Sequence, residues 1–263
     1  MKSKKKTIWA LAVLFAVAVS SALLAYNYLP IFTPGPFRGN SSTIGGIDTP
    51  RGCARTDGAD SAYTAFLRSI PLKKDKTVYF YKGGKIAKGS TARTYAVVDL
   101  PLLSNNEQCA DACMHIRSEY LYRTGQYGRI CFTAANGIEI KYYGGRLRKA
   151  FESYMRTVFA YANTESLVME LPGRDLKDIQ PGDIFVYKAR AGHRYGHAIM
   201  VMDVAENQKN GKKYVMLAEG CTPAVDIHVL RNGKSAWFPI VETAKTLHIS
   251  IFTFYRDELR RFI

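Results

Sequence analysis

Long hydrophobic runs are almost absent from this chain of 263 residues. Only one apolar stretch is long enough to meet a bilayer, which excludes a polytopic membrane protein. There is no Gly-X-Y period, heptad run or internal repeat, so collagen, coiled-coil and solenoid architectures are excluded as well. Acidic residues are scarce, with 22 Asp and Glu against 37 Lys and Arg. No basic stripe with interleaved aromatics accompanies that excess, so nucleic acid is not an expected partner. What is present suits a folded domain: 47% hydrophobic, 12% aromatic and 22% charged residues can build a core and exclude a disordered chain.

The one long apolar run lies at the N-terminus. Lys2, Lys4, Lys5 and Lys6 precede an apolar or small-residue stretch over 8–26. A basic segment followed by such a run reads as an export signal or an N-terminal membrane anchor, and both alternatives stay open. Either way the remainder is expected outside the cytoplasm: periplasmic, in the cell envelope, or membrane-anchored. Removing residues 1–26 takes four lysines and no acids from the net +15, which leaves +11. For an exported protein this charge points to acidic envelope polymers or an anionic membrane surface. Residues 27–50, rich in Pro, Gly, Ser and Thr, read as a linker, and 51–263 as a single domain.

The five cysteines are Cys53, Cys109, Cys113, Cys131 and Cys221. An odd number in an oxidising compartment leaves at least one thiol unpaired. The pattern predicts a short helix over 61–68 and a hairpin from 76–81 back through 85–87. A strand follows over 95–99, then a helix starting from the capping-box spacing Ser104-Asn105-Asn106-Glu107 and running through Tyr122. A second long helix covers 146–161. Strands follow over 184–188, 197–204, 214–219, 227–230 and 246–254. Helices first and strands later argue for an α+β fold.

Two hairpin returns among the strands 184–188, 197–204 and 214–219 make His197 and Glu219 cross-strand neighbours, provided the register allows it. A carboxylate there would orient the imidazole and favour its charged form. Cys109, near a helix start, is the candidate nucleophile, because unpaired helix amides favour a thiolate. The bland alternative is a small buried hydrophobe on the core face. Cys221 is an alternative nucleophile, but it lacks a following helix. His193 and His197 have metal-like spacing but fall on loop and strand, so neither a metal nor another cofactor is expected.

Together, Gln108-Cys109-Ala110-Asp111, Gly182-Asp183-Ile184-Phe185-Val186, Gly196-His197-Ala198-Ile199-Met200-Val201 and a strand ending in Glu219 resemble the papain-like superfamily of cell-wall hydrolases. The layout is similar to that of the CHAP and NlpC/P60 amidases and endopeptidases. More narrowly, the stretch from about Gly46 to Pro239 resembles a family of secreted bacterial proteins built on a domain of unknown function. The blocks that carry this likeness are Phe66-Leu67-Arg68 with Pro71-Leu72-Lys73, Arg117-Ser118-Glu119-Tyr120-Leu121-Tyr122, Leu217-Ala218-Glu219 and Pro223-Ala224-Val225-Asp226-Ile227-His228.

The resemblance implies a papain-like domain with N-terminal helices packed on an antiparallel sheet. It implies a cysteine hydrolase with Cys109 as nucleophile, His197 as base and Glu219 as orienting residue, where the narrower family would carry Gln. Gln108 would then lie near a developing oxyanion, and His228 would flank the cleft. The expected substrate is an amide bond of a cell-envelope polymer, with peptidoglycan peptide foremost. The alternative is a non-catalytic envelope-polymer-binding module on the same fold. Oligomeric state is not legible.

Overall fold

The structure, a computed structural model, describes residues 42–191 and 194–263. The N-terminal run over 8–26 and the first part of the segment read as linker lie outside the described residues. Among the described residues, no helix is long and apolar enough to cross a membrane.

The strands in chain order are β1 (Cys53–Arg55), β2 (Thr94–Val97), β3 (Cys131–Thr133), β4 (Glu139–Lys141), β5 (Asp183–Tyr187), β6 (His197–Asn207), β7 (Lys213–Glu219), β8 (His228–Leu230), β9 (Trp237–Pro239), β10 (Thr246–Ile249), β11 (Phe252–Tyr255) and β12 (Leu259–Arg261). The helices are α1 (Ser61–Ser69), α2 (Lys88–Arg93), α3 (Cys109–Arg123), α4 (Arg148–Tyr161) and α5 (Thr164–Glu170). Eight strands form one sheet in the order β12-β5-β6-β7-β8-β2, with β1 added to β6 and β9 to β7. Every pairing in it is antiparallel, and the fold class is α+β.

The sheet is covered on both faces, which explains the near-continuous apolar run along β5 and β6. Ile184, Val186, Ala198, Met200, Met202, Met216 and Ala218 share one core with Ala112, Cys113 and Ile116 of α3. Phe185, Ile199, Val201, Val215 and Leu217 turn the other way, onto Leu247, Ile249 and Phe254 of the β10–β11 hairpin. Burying each such side chain contributes roughly 1.5–3 kcal/mol. Period-2 alternation thus divides each strand between two cores rather than between core and water.

Helix α3 starts later than its capping-box spacing predicts. Ser104 instead accepts a turn hydrogen bond from Asn106 N–H at 3.1 Å. Glu107 is drawn inward, where it meets His115 Nδ1 at 2.7 Å and accepts from Leu103 N–H at 2.7 Å. The helix therefore begins at Cys109, and the Gln108 N–H donates to Asp111 Oδ2 at 2.9 Å. The whole of α3 from Cys109 to Tyr122 is buried, including His115 and Glu119.

Other expectations are corrected too. The expected return over 76–87 is present but short: Tyr79 bridges to Ile86 around the Lys82-Gly83-Gly84 turn, with Phe80 N–H donating to the Lys85 carbonyl at 3.0 Å and Ala87 N–H to the Val78 carbonyl at 2.8 Å, and Phe80 also bridges to Val225. The stretch 246–254 is not one strand but the β10–β11 hairpin, turning at Ser250 with φ 57°. Helices α2 and α5 and the β3–β4 ribbon lie where no element was expected. Within the segment read as linker, Ile44 and Ile47 are buried in the core beside Phe66 and Leu67.

Candidate active site

His197 is the first residue of β6 and pairs with Tyr187 across β5. On the other side, Met200 pairs with Ala218, so Glu219 stands diagonal to His197 rather than opposite it. Two long side chains can span a diagonal, and His197 Nε2 lies 2.9 Å from Glu219 Oε2. Both groups are buried.

Gly196 lets this strand start where it does. A Cβ there would stand 2.2 Å from Thr164 Oγ1 and 2.5 Å from the Tyr187 carbonyl oxygen. Gly220 does the same for α3, because its Cβ would meet the Gln108 carbonyl oxygen at 3.0 Å and Ala112 Cβ at 3.1 Å. These close approaches bring the start of α3 against the end of β7. Cys109 occupies the first helical position, where backbone N–H groups have no partner within the helix.

The Cys109 thiol stands near enough to the His197 ring to act on its charge. Burial works against a charge on His197, but hydrogen bonds and charge interactions with Cys109 and Glu219 outweigh it. They raise its pKa from 6.5 to about 9. Burial likewise opposes the Glu219 carboxylate, yet the hydrogen bonds and charges of His197 and His228 hold its pKa well below the usual carboxylate range.

Glu219 is gripped from three sides. Arg93 Nη2 lies 3.0 Å from Oε1, and His228 Nε2 lies 3.3 Å from the same oxygen. His228 does not flank the cleft as expected from the resemblance. It is fully buried behind Glu219, paired with it across β7 and β8, and its Nδ1 bonds the Asp226 carbonyl at 2.9 Å.

Cys221, the alternative nucleophile, faces the Glu219 carboxylate, with Sγ 3.6 Å from Oε1. Burial and that negative charge push its thiol up to about 12, which disfavours a nucleophilic thiolate. Cys113, one turn below Cys109, is fully buried and its thiol is pushed well above the ordinary value. None of the five cysteines forms a disulfide.

Glu219, Cys221 and His228 place one ligand atom each within 4.8 Å of one another, the set that could hold a metal ion. Arg93 Nη2 stands among them, 3.0 Å from Glu219 Oε1 and 3.6 Å from Cys221 Sγ. A guanidinium there supplies the positive charge and repels a cation. His193, the other half of the His-x-x-x-His spacing, lies outside the described residues.

Two clefts flank the pair. One, of about 550 Å³, opens among α2, the 194–197 segment, Thr222-Pro223 and the tip of the β10–β11 hairpin. The other, of about 250 Å³, is lined by Gln108, Cys109, Asn163 and Glu165. Arg194, Tyr195, Gly196 and Thr222 border both. Gln108 Oε1 accepts from the Thr222 hydroxyl at 2.8 Å, tying the two loops together.

The sequence reading missed Phe252 and Arg93. Phe252 stacks on the His197 ring, with centroids 3.7 Å apart and planes 17° from parallel. Its hairpin is fastened by Arg190, which pairs with Glu258, donates to the Thr253 carbonyl at 2.7 Å and lies 4.1 Å over the Tyr187 ring. No local pattern marks either residue, since Phe252 and Arg93 reach the site from separations of 55 and 126 positions.

No curated protein and no solved structure matches this chain. One family pattern matches over residues 45–146 and 143–261. With most of the chain inside those matches, the protein belongs to the family described as Domain of unknown function (4846).

Proposed function

We propose that this protein is an exported cysteine hydrolase that cleaves an amide bond in a cell-envelope substrate, with peptidoglycan peptide as the first class to test. The observation that carries the reading is the imidazole of His197, set between the helix-start thiol of Cys109 and the buried carboxylate of Glu219. A nucleophilic Cys at a helix start, packed against an antiparallel sheet that bears its base, is also the papain-like arrangement.

The chemistry follows from the geometry. His197 takes the proton from Cys109, and Glu219 stabilises the resulting imidazolium through Nε2. The thiolate attacks the amide carbonyl, and the oxyanion forms near the unpaired N–H of Cys109. Gln108 can assist, because its carboxamide oxygen accepts from Thr222 and leaves the NH₂ free to donate. His197 then gives its proton to the leaving amine. Water, deprotonated by the same imidazole, cleaves the thioester and restores the thiol.

The test is digestion of peptidoglycan and its soluble stem peptides by the purified protein, with products read as new amines and carboxylates by mass spectrometry. Turnover that disappears in Cys109→Ala and His197→Ala is the expected outcome. Binding without turnover, equal in all three proteins, would sink the hydrolase reading in favour of an envelope-binding module.

A further inference from the structure

The larger cleft is electrically one-sided. Lys88, Arg93 and Arg194 line it together with His197, and among the described residues no Asp or Glu does. Glu219 lies behind Arg93 and is fully buried, so its charge is spent on its three partners and does not face the cleft. Cys221, which also borders the space, is held as a neutral thiol. Arg93 keeps unused capacity, since its Nε is buried without a hydrogen-bond partner. Lys88 and Arg194 are exposed at the rim. The smaller cleft, which Cys109 itself lines, differs, because Asp111 and Glu165 line it together with Arg194.

We propose that the larger cleft is a subsite for a carboxylate-bearing part of the substrate, with Arg93 at its floor and Lys88 and Arg194 as rim counter-charges. This deepens the hydrolase reading and rests on it. The two rim cations Lys88 and Arg194 and the ion-paired Arg93, beside low-dielectric walls formed by Phe80, Val225, Ile251 and Phe252, concentrate the field on an incoming anion. The planar guanidinium offers the paired donors that a carboxylate accepts. The two clefts also differ in polarity, which gives the substrate a direction, since an acidic group is repelled by Glu165 in the smaller and drawn to the cations of the larger.

Two alkylating reagents of similar size test this on the full chain under reducing conditions. Iodoacetate carries a carboxylate and iodoacetamide does not. In both, Cys109 Sγ bonds to the methylene carbon and iodide leaves. The readout is the ratio of the two rates at Cys109, measured by mass spectrometry and divided by the same ratio for free cysteine.

The expected result is a normalised preference for iodoacetate of about tenfold or more at low salt. It should shrink as ionic strength shortens the Debye length. It should also fall toward one in Lys88→Ala combined with Arg194→Ala, and reverse in Lys88→Glu combined with Arg194→Glu. A ratio of one in the parent overturns the subsite and leaves the nucleophile standing. Failure of Cys109 to react with either reagent overturns both. Succinate and inorganic phosphate are run as competitors at equal ionic strength. Protection by succinate supports the carboxylate assignment, whereas protection by phosphate alone overturns it in favour of a phosphate-bearing ligand.

Discussion

Glu219 holds His197 with one carboxylate oxygen at 2.9 Å and Arg93 with the other at 3.0 Å. The carboxylate is fully buried and has no share in either cleft, so its work is done through the imidazole. It favours a charged ring in a place where burial alone would keep the ring neutral.

The first prediction concerns pH. An imidazolium persists up to about pH 9 in this site. Activity should therefore fall on the alkaline side through an apparent pKa near 9, as the leaving amine loses its proton donor. Glu219→Gln removes the carboxylate charge and should move that limb down toward the ordinary imidazole value of about 6.5. A pH–rate profile of both proteins checks this, and an unmoved limb would detach Glu219 from the imidazole.

Cys109 and Cys221 should separate cleanly. Cys109→Ala should abolish turnover, while Cys221→Ala should cost less than about tenfold, because its neutral thiol makes no bond to the reacting carbonyl in this reading. Comparison of kcat/KM in the two variants decides the matter. The reverse order would make Cys221 the nucleophile.

Phe252→Ala removes the ring that covers one face of His197. Aromatic stacking of this kind contributes about 0.5–1.5 kcal/mol. Turnover should drop by about two- to tenfold, and the alkaline limb should shift as water reaches the imidazole. Thermal stability should fall only modestly, since Phe254 and the Arg190 clamp still anchor the hairpin. A lost limb shift would reduce Phe252 to packing.

Gly196→Ala should be the most damaging single methyl in the site. Its Cβ meets a backbone oxygen at 2.5 Å that has no room to retreat, whereas Gly220→Ala meets one at 3.0 Å. Overpacking of the former kind costs about 1–3 kcal/mol. Denaturant midpoints should rank wild type above Gly220→Ala above Gly196→Ala, with loss of activity in the last.

His115 lies fully buried between Glu107 at 2.7 Å and Glu119 at 3.4 Å, and Glu119 is bridged onward to Arg123 and Arg148. Burial opposes its charge, but the two glutamates raise its pKa to about 9. A raised folded pKa means that its stabilisation is complete below about pH 6.5 and is lost as pH rises through about 9. His115→Leu should destabilise by about 3 kcal/mol at pH 6, since two buried carboxylates lose their partner. The decline in Tm between pH 6.5 and 9 should be shallower than in the parent, with only the share of His197 remaining. An unchanged slope would show that His115 is neutral.

Much of this molecule is legible locally. The apolar stripe of 146–161 places α4 within two residues, because a long 3.6-residue period survives tertiary contacts. The Gly-Asp opening of β5 is readable because Asp183 closes its own turn onto the Gln180 N–H at 2.9 Å. The start of α3 was not readable. Two valid caps compete there, and the choice was made by His115, which pulls Glu107 out of the box from eight residues away. The 76–87 return is readable because Gly83-Gly84 supplies the turn, and Phe80 N–H to the Lys85 carbonyl and Ala87 N–H to the Val78 carbonyl close it locally.

Sequence alone therefore determined the α+β class, the order of Cys109, His197 and Glu219 along the chain, and the strands that carry the last two, since each depends on periodicity or on turn chemistry within a few residues. Tertiary structure decided the diagonal register that joins His197 to Glu219, the burial of His228, the neutral state of Cys221 and the basic cleft. Arg93, Phe252 and Lys88 come to the site from distant segments, and charge and burial at a point in space are sums over neighbours that no local pattern records.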